Sequence, residues 1–128
     1  MGSSPTAGTG SMNLFTYGTL MDPAVWSRVA WQECECRRAV LIDYEARRLR
    51  GFSFPGLVNA PGTSTPGLVY LAVCAEALAR LDAYEDDFYT RVPLPVKLED
   101  GTIMNAQVYL MAPGHENIVL PEIWMPPP

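Results

Sequence analysis

Apolar positions along the chain change period several times, and each change marks an element. Asn13 to Tyr17 (NLFTY) is a short, mostly apolar run halted by Gly18, the pattern of a buried strand entering a turn. Asp22 then offers an N-cap and Pro23 the favoured first helical position, which predicts a helix to about Trp31. From Cys34 to Phe54 the pattern reads as strands. Cys34, Cys36 and Ala39 to Ile42 supply apolar positions, Glu33, Glu35 and Arg37 alternate with them, and Arg47 to Phe52 offers a further strand. Pro55 to Gly67 holds three prolines and three glycines and reads as a long loop, either a lid or binding loop or a plain surface connection. Leu68 to Val73 reads as a buried strand, and Ala75 to Tyr84 as a second helix with Leu78 and Leu81 facing the core. Tyr89 to Glu99 places Val92, Leu94, Val96 and Leu98 on one face; Asp100-Gly101 is a hairpin turn, and Thr102 to Met111 returns as the partner. Pro93 and Pro95 cannot donate to a ladder, so that end of the strand is expected at an edge. The tail, Pro113 to Pro128, reads as a wrap or a mobile end. These elements predict one α+β domain of about six strands and two helices, its mixed sheet curled towards a small β-barrel.

Composition narrows this further. With 128 residues and 48% hydrophobic content, the chain suits a single compact domain with a real core. Only 18% of residues are charged, and twelve prolines with ten glycines favour strands and turns over a helical bundle. A net charge of −5 with scattered basic pairs argues against nucleic acid as a partner. Three cysteines with no secretory leader point to reduced thiols in the cytoplasm, and no apolar run approaches the roughly 18 residues of a membrane span. Residues 1–11 are small, polar and unpatterned and read as a vector-derived leader, with Met12 the natural start. Gly2 with Thr6 matches the short myristoylation pattern, which ranks below that reading.

Candidate chemistry concentrates in Leu81 to Arg91 (LDAYEDDFYTR). Asp82, Glu85, Asp86 and Asp87 cluster at the end of the second helix, where the helix dipole and mutual repulsion both disfavour acid. Such a conflict often marks a working site. Glu85 follows Leu78 and Leu81 and is placed to project inward while Asp86 and Asp87 stay wet; burial and nearby carboxylates would raise its pKa towards neutrality. The alternative is a solvated helix end with Arg91 pairing an aspartate. The Gly18 turn, ahead of a helix start, offers N–H groups to an anion, but one glycine is a weak signal and a plain strand-to-helix turn is the commoner explanation. The single His115 reads as a solvated loop residue, and Cys34 and Cys36 as two small buried apolar side chains rather than zinc ligands. No serine has the context of a nucleophile elbow.

Phe15 to Leu20 (FTYGTL), Pro66 to Tyr70 (PGLVY), and LDAYE at Leu81–Glu85 followed by Tyr89-Thr90-Arg91 resemble the gamma-glutamylcyclotransferase-like family, in its plant and bacterial branch related to avirulence-induced proteins. The likeness runs from about Asn13 to Ala112. It implies a small mixed barrel flanked by helices and needing no cofactor or metal. The amides of the Tyr17-Gly18-Thr19-Leu20 loop would hold the substrate, Glu85 would be the acid/base, and Tyr17 and Tyr89 would wall the cavity. The implied reaction cyclises a gamma-glutamyl group of a small-molecule substrate to 5-oxoproline and releases an amino acid or amine. Two positions depart from the family pattern: the loop continues Met21-Asp22-Pro23, and Asp86 stands where glycine is frequent. Both bear on which group is accepted beyond the γ-carbonyl. A non-catalytic pocket for an amino-acid-like ligand, and an interaction module using Pro121 to Pro128, are the alternatives.

Overall fold

In the computed structural model, which describes residues 12–125, six strands and two helices form around two apolar clusters. The expectations for residues 1–11, for Gly2 and for residues 126–128 lie outside the described residues, as does that for the Asp86 side chain. The strands are β1 (Met12–Thr16), β2 (Cys36–Leu49), β3 (Gly56–Val73), β4 (Tyr89–Leu98), β5 (Ile103–Met111) and β6 (Val119–Ile123); the helices are α1 (Pro23–Ala30) and α2 (Ala75–Glu85). Strand order β3-β1-β5-β4-β2 closes through a β2–β3 pairing into a five-stranded ring, and β6 adds outside it on β2. The β1–β5 contact is parallel and the other pairings are antiparallel, so the sheet is mixed. Phe15, Leu41, Val69, Val96 and Val108 fill the ring. A second cluster, including Leu14, Trp26, Tyr70, Leu78 and Leu81, seats both helices against its outside.

Several elements follow the sequence pattern closely. Asp22 caps α1, its carboxylate accepting from the Ala24 N–H at 2.9 Å, and Pro23 occupies the first turn. Trp31 ends that helix in the left-handed region at φ 57°. On β4 the alternation puts Val96 and Leu98 inside and Pro93 and Pro95 outside. Only residues 96–98 of β4 pair with β2, so the strand is flanked on both sides there and is an edge at its proline end.

The stretch Pro55 to Gly67 departs from expectation: from Gly56 on it is the first two thirds of β3, not a loop. Its partner β2 runs alongside from Arg47↔Gly56 to Ala39↔Gly67, so the main-chain groups are satisfied in spite of the composition. The ladder is interrupted once, where Ala60–Thr63 bulges opposite Asp43; Gly62 sits at φ +90° and donates its N–H to the Asp43 carboxylate at 3.0 Å. Pro66 is tolerated because β1 pairing stops at Leu68, leaving β3 with one neighbour at that point. Gly67 marks close approach, not freedom. A Cβ there would run into the Thr16 carbonyl oxygen and meet the Phe15 ring at 2.7 Å.

Both ends of β2 differ from expectation, and the tail takes one of its two expected forms. Strand β2 stops at Leu49, so the separate strand expected over Arg47 to Phe52 does not form, and residues 50–55 turn back across the end of the barrel. Cys36 is exposed and Cys34 half-buried, because β2 begins at Cys36 and its inward alternation begins only at Ala39, opposite Leu98 of β4. The described part of the tail wraps: β6 lies on β2, and the Trp124 N–H donates to the Ala46 carbonyl at 2.9 Å.

Gly67→Ala should therefore lower the unfolding free energy by about 1–3 kcal/mol, since backbone and a buried phenyl must both move. Urea unfolding of the variant checks this; an unchanged midpoint would mean that β1 and β3 are not packed so closely.

Candidate active site

The turn after β1 is held from beneath. Tyr17 is buried and its phenol donates to the Tyr109 carbonyl at 2.6 Å. The next residues form a 3-10 turn, Thr19–Met21, in which Met21 N–H donates to the Gly18 carbonyl and Asp22 N–H to that of Thr19, both at 3.0 Å. The N–H groups of Thr19 and Leu20 precede the first of these bonds and have no acceptor within the turn. Tyr70 on β3 donates its hydroxyl to the Leu20 carbonyl at 2.9 Å, and its ring stacks on Trp26 of α1 with centroids 3.7 Å apart. Sheet, turn and first helix are thereby locked together. Gly18 itself has φ −127° and needs no left-handed freedom; a Cβ there would lie 3.5 Å from the Pro55 ring, an ordinary contact.

Helix α2 brings Glu85 to the same place. Leu81 is fully buried, and Glu85, four residues on, lies on the same stripe of the helix. The stripe leads Glu85 into a cavity of about 480 Å³ that is lined also by Phe15 to Leu20, Phe52 to Pro55, Tyr84, Phe88, Tyr89 and Tyr109. All five sequence-predicted binding residues, Tyr17, Gly18, Thr19, Leu20 and Tyr89, therefore share one cavity with Glu85. Burial alone pushes the Glu85 carboxyl up to about 7. The phenols around it are held neutral: burial first, then the Glu85 charge, raises Tyr89, and burial is the main cause at Tyr17 and Tyr109. Neither Tyr17 nor Tyr89 offers a free hydroxyl, because the Tyr89 phenol donates to the Pro55 carbonyl at 2.6 Å. Both line the cavity with their hydroxyls already engaged.

The solvated helix end expected as the alternative exists beside this, on a different acid. Arg91 of β4 grips Asp82 through Nε at 2.8 Å and Nη2 at 3.1 Å, and Tyr109 donates to the same carboxylate at 2.7 Å. Burial would raise Asp82, but the hydrogen bonds from Arg91 and Tyr109 and the guanidinium charge outweigh it and hold the carboxyl below its ordinary value. Arg91 also donates to Gln107 at 2.9 Å, so this group ties the end of α2 to β4 and β5. No Lys, Arg or His is among the residues that line the cavity with Glu85.

His115 is half-buried, not solvated: its ring packs edge-on against Phe88 with centroids 4.4 Å apart, and Nδ1 lies 3.2 Å from the Ala112 carbonyl. Among the described residues no three His, Cys, Asp or Glu side chains converge as metal ligands, and no helix is long and apolar enough to cross a membrane. Sequence reasoning missed Phe52, Phe54, Phe88 and Tyr109. Phe52 and Phe54 were legible only as the end of a strand, and their role depends on residues 50–55 folding over the barrel end.

A family model described as Gamma-glutamyl cyclotransferase, AIG2-like, matches residues 14–125. AIG2-like protein A of Arabidopsis thaliana is 31% identical over 90 residues, which make up 70% of this chain. The chain spans 54% of that curated relative's length. A solution structure of an Arabidopsis thaliana protein superposes with a TM-score of 0.74 at 28% identity, covering 83% of this chain and 72% of the other. A solved gamma-glutamyl cyclotransferase shares the fold with a TM-score of 0.71 at 18% identity, covering 80% of this chain and 67% of the other.

A carboxyl whose pKa is raised on folding binds its proton more tightly in the native state, so it costs stability as pH climbs from its unfolded value towards about 7 and the full cost persists above that. Glu85→Gln cannot ionise and escapes the cost. Relative to wild type, the variant should gain about 1–3 kcal/mol between pH 5 and pH 8 in urea unfolding. A difference that does not change with pH would contradict the burial of Glu85.

Proposed function

Because the chain belongs to the Gamma-glutamyl cyclotransferase, AIG2-like family, we propose that it cyclises the gamma-glutamyl group of a small molecule to 5-oxoproline, with Glu85 as general acid and base. The observation that carries this reading is a single carboxyl, pushed up to about 7 by burial, that lines one largely aromatic cavity together with the turn from Gly18 to Leu20.

In a gamma-glutamyl amide the α-nitrogen lies within reach of its own γ-carbonyl, so ring closure needs positioning and one proton carrier. The Glu85 carboxylate accepts a proton from the α-ammonium, and the freed amine attacks the γ-carbonyl carbon. Backbone N–H groups of Thr19 and Leu20 face the substrate carboxylate or the developing oxyanion. As the old C–N bond breaks, the Glu85 carboxyl gives a proton to the departing nitrogen. The surplus proton on the new ring nitrogen follows the same route, so the released amine carries away the charge that the α-ammonium brought. No water, metal or cofactor enters the balance. An acid with a pKa near 7 is half in each form at neutral pH, which suits a group that must take and then return a proton.

Incubating the protein with gamma-glutamyl dipeptides, gamma-glutamyl-ε-lysine and simple gamma-glutamyl amides should release 5-oxoproline. The rate should rise as pH passes through about 7, where Glu85 becomes the carboxylate. Glu85→Gln should lose about 10²–10⁴-fold in kcat while remaining folded. Binding without release from any compound would replace this reading with that of a non-catalytic pocket.

A further inference from the structure

The end of α2 that carries Glu85 has little apolar support. Leu81 is the last buried residue of the helix; Asp82 and Glu85 are half-buried, and Ala83 and Tyr84 are exposed. Helix ends fray, and the Tyr84 hydroxyl reaches that of Thr19 only at 3.4 Å, a weak tie. Asp82 holds this turn far more firmly. Arg91 donates to both of its carboxylate oxygens, at 2.8 and 3.1 Å, and the Tyr109 hydroxyl donates to the first of them at 2.7 Å. Arg91 and Tyr109 are paired across the β4–β5 ladder, so two neighbouring strands reach for one carboxylate. Arg91 donates also to the Gln107 side chain at 2.9 Å, which helps to fix the plane of its guanidinium.

Anchor and acid are joined by the helix, since Asp82 lies three residues before Glu85 and on a neighbouring position one turn back. Yet neither Asp82 nor Arg91 lines the cavity of Glu85. They line a second cavity, and Tyr89 and Tyr109 line both. What Arg91 does to Glu85 therefore passes through the protein and not through a molecule bound beside Glu85. The Asp82 side chain is 43% exposed, so the pair adds little to global stability, whereas its forked geometry fixes direction. The Asp82 carboxyl is held below its ordinary value, so this grip persists across the range in which Glu85 titrates.

We propose that Arg91 is a positioning residue for the acid and base: through Asp82 it fixes the last turn of α2 and with it the place of the Glu85 carboxyl. This rests on the cyclotransferase reading, in which that carboxyl must reach first the α-nitrogen and then the departing nitrogen of one bound molecule. A displaced turn leaves a cavity that still binds but misplaces the proton carrier, so the loss falls on kcat and not on KM. It also admits water to Glu85, whose titratable neighbours in the cavity are all phenols, Tyr17, Tyr84, Tyr89 and Tyr109.

Arg91→Met keeps bulk and removes the fork. With circular dichroism confirming the fold, two readouts are taken: the carbon-13 titration of the Glu85 carboxyl, assigned by its loss in Glu85→Gln, and 5-oxoproline release from the gamma-glutamyl compound that wild type turns over fastest. The Glu85 midpoint should fall by about one unit or more from its wild-type value of about 7. Loss of a nearby cation would raise it, so a fall separates misplacement from lost charge. kcat should drop about tenfold or more, with KM changed about twofold at most. Adding Asp82→Asn should cost no further kcat, because the two residues act as one. A folded Arg91→Met whose Glu85 midpoint stays or rises, or whose kcat stays near wild type, overturns the assignment; a further loss on adding Asp82→Asn overturns the route through Asp82. Should Arg91→Met not fold, Arg91→Lys, which keeps the charge but not the fork, carries the same test. Wild type that releases no 5-oxoproline overturns the cyclotransferase reading, and the midpoint then decides whether Arg91 places Glu85.

Discussion

Along β2 and β3 eleven residue pairs run from Cys36↔Tyr70 to Arg47↔Gly56, and this ladder is what turns an open sheet into a ring. Without it, β2 and β3 would be the long free edges of a six-stranded sheet, and the interior of Phe15, Val69 and Val108 would open to water. The site depends on the same pairing. Strand β3 carries Tyr70, which holds the turn at Leu20, and the connection between β2 and β3 carries Phe52 and Phe54 of the cavity lining. One constraint therefore bears on two parts of that lining.

The parts of the fold that were legible in the sequence are those in which one local rule acts alone. Asp22-Pro23 opens α1 because capping is decided within a few residues, and Asp100-Gly101 joins β4 to β5 because a tight turn needs little from elsewhere. Glu85 was legible for the opposite reason: acid at a helix end after two core leucines is a local conflict, and the structure resolves it by sharing out the acids. Asp82 takes Arg91, Asp87 is exposed, and Glu85 turns into the cavity.

What was not legible depends on distant partners. Glycine at position 67 reads as a breaker, yet it is there because the β1 backbone and the Phe15 ring leave no space for a side chain. Prolines at 61 and 66 read as loop, yet one falls in a bulge and the other on a stretch of β3 with a single neighbour. Phe52 and Phe54 carry no period that marks them as cavity lining, since their direction is set by a turn closed by Tyr89 and Trp124 from later in the chain. Cys36 was misread because β2 begins on an exposed stretch, which alternation cannot reveal before β4 is in place.

Glu85 is a half-buried carboxyl in a largely aromatic cavity, with no Lys, Arg or His among the residues that line it. Removing water raises the cost of the charged form, and burial is what raises the Glu85 carboxyl. The most direct measurement is a carbon-13 NMR titration of the Glu85 side-chain carboxyl in the free protein, assigned by its loss in Glu85→Gln. A midpoint close to 7 is the predicted result. A midpoint near the ordinary glutamate value of about 4.3 would mean that Glu85 is solvated, and the role given to it as acid and base would fail.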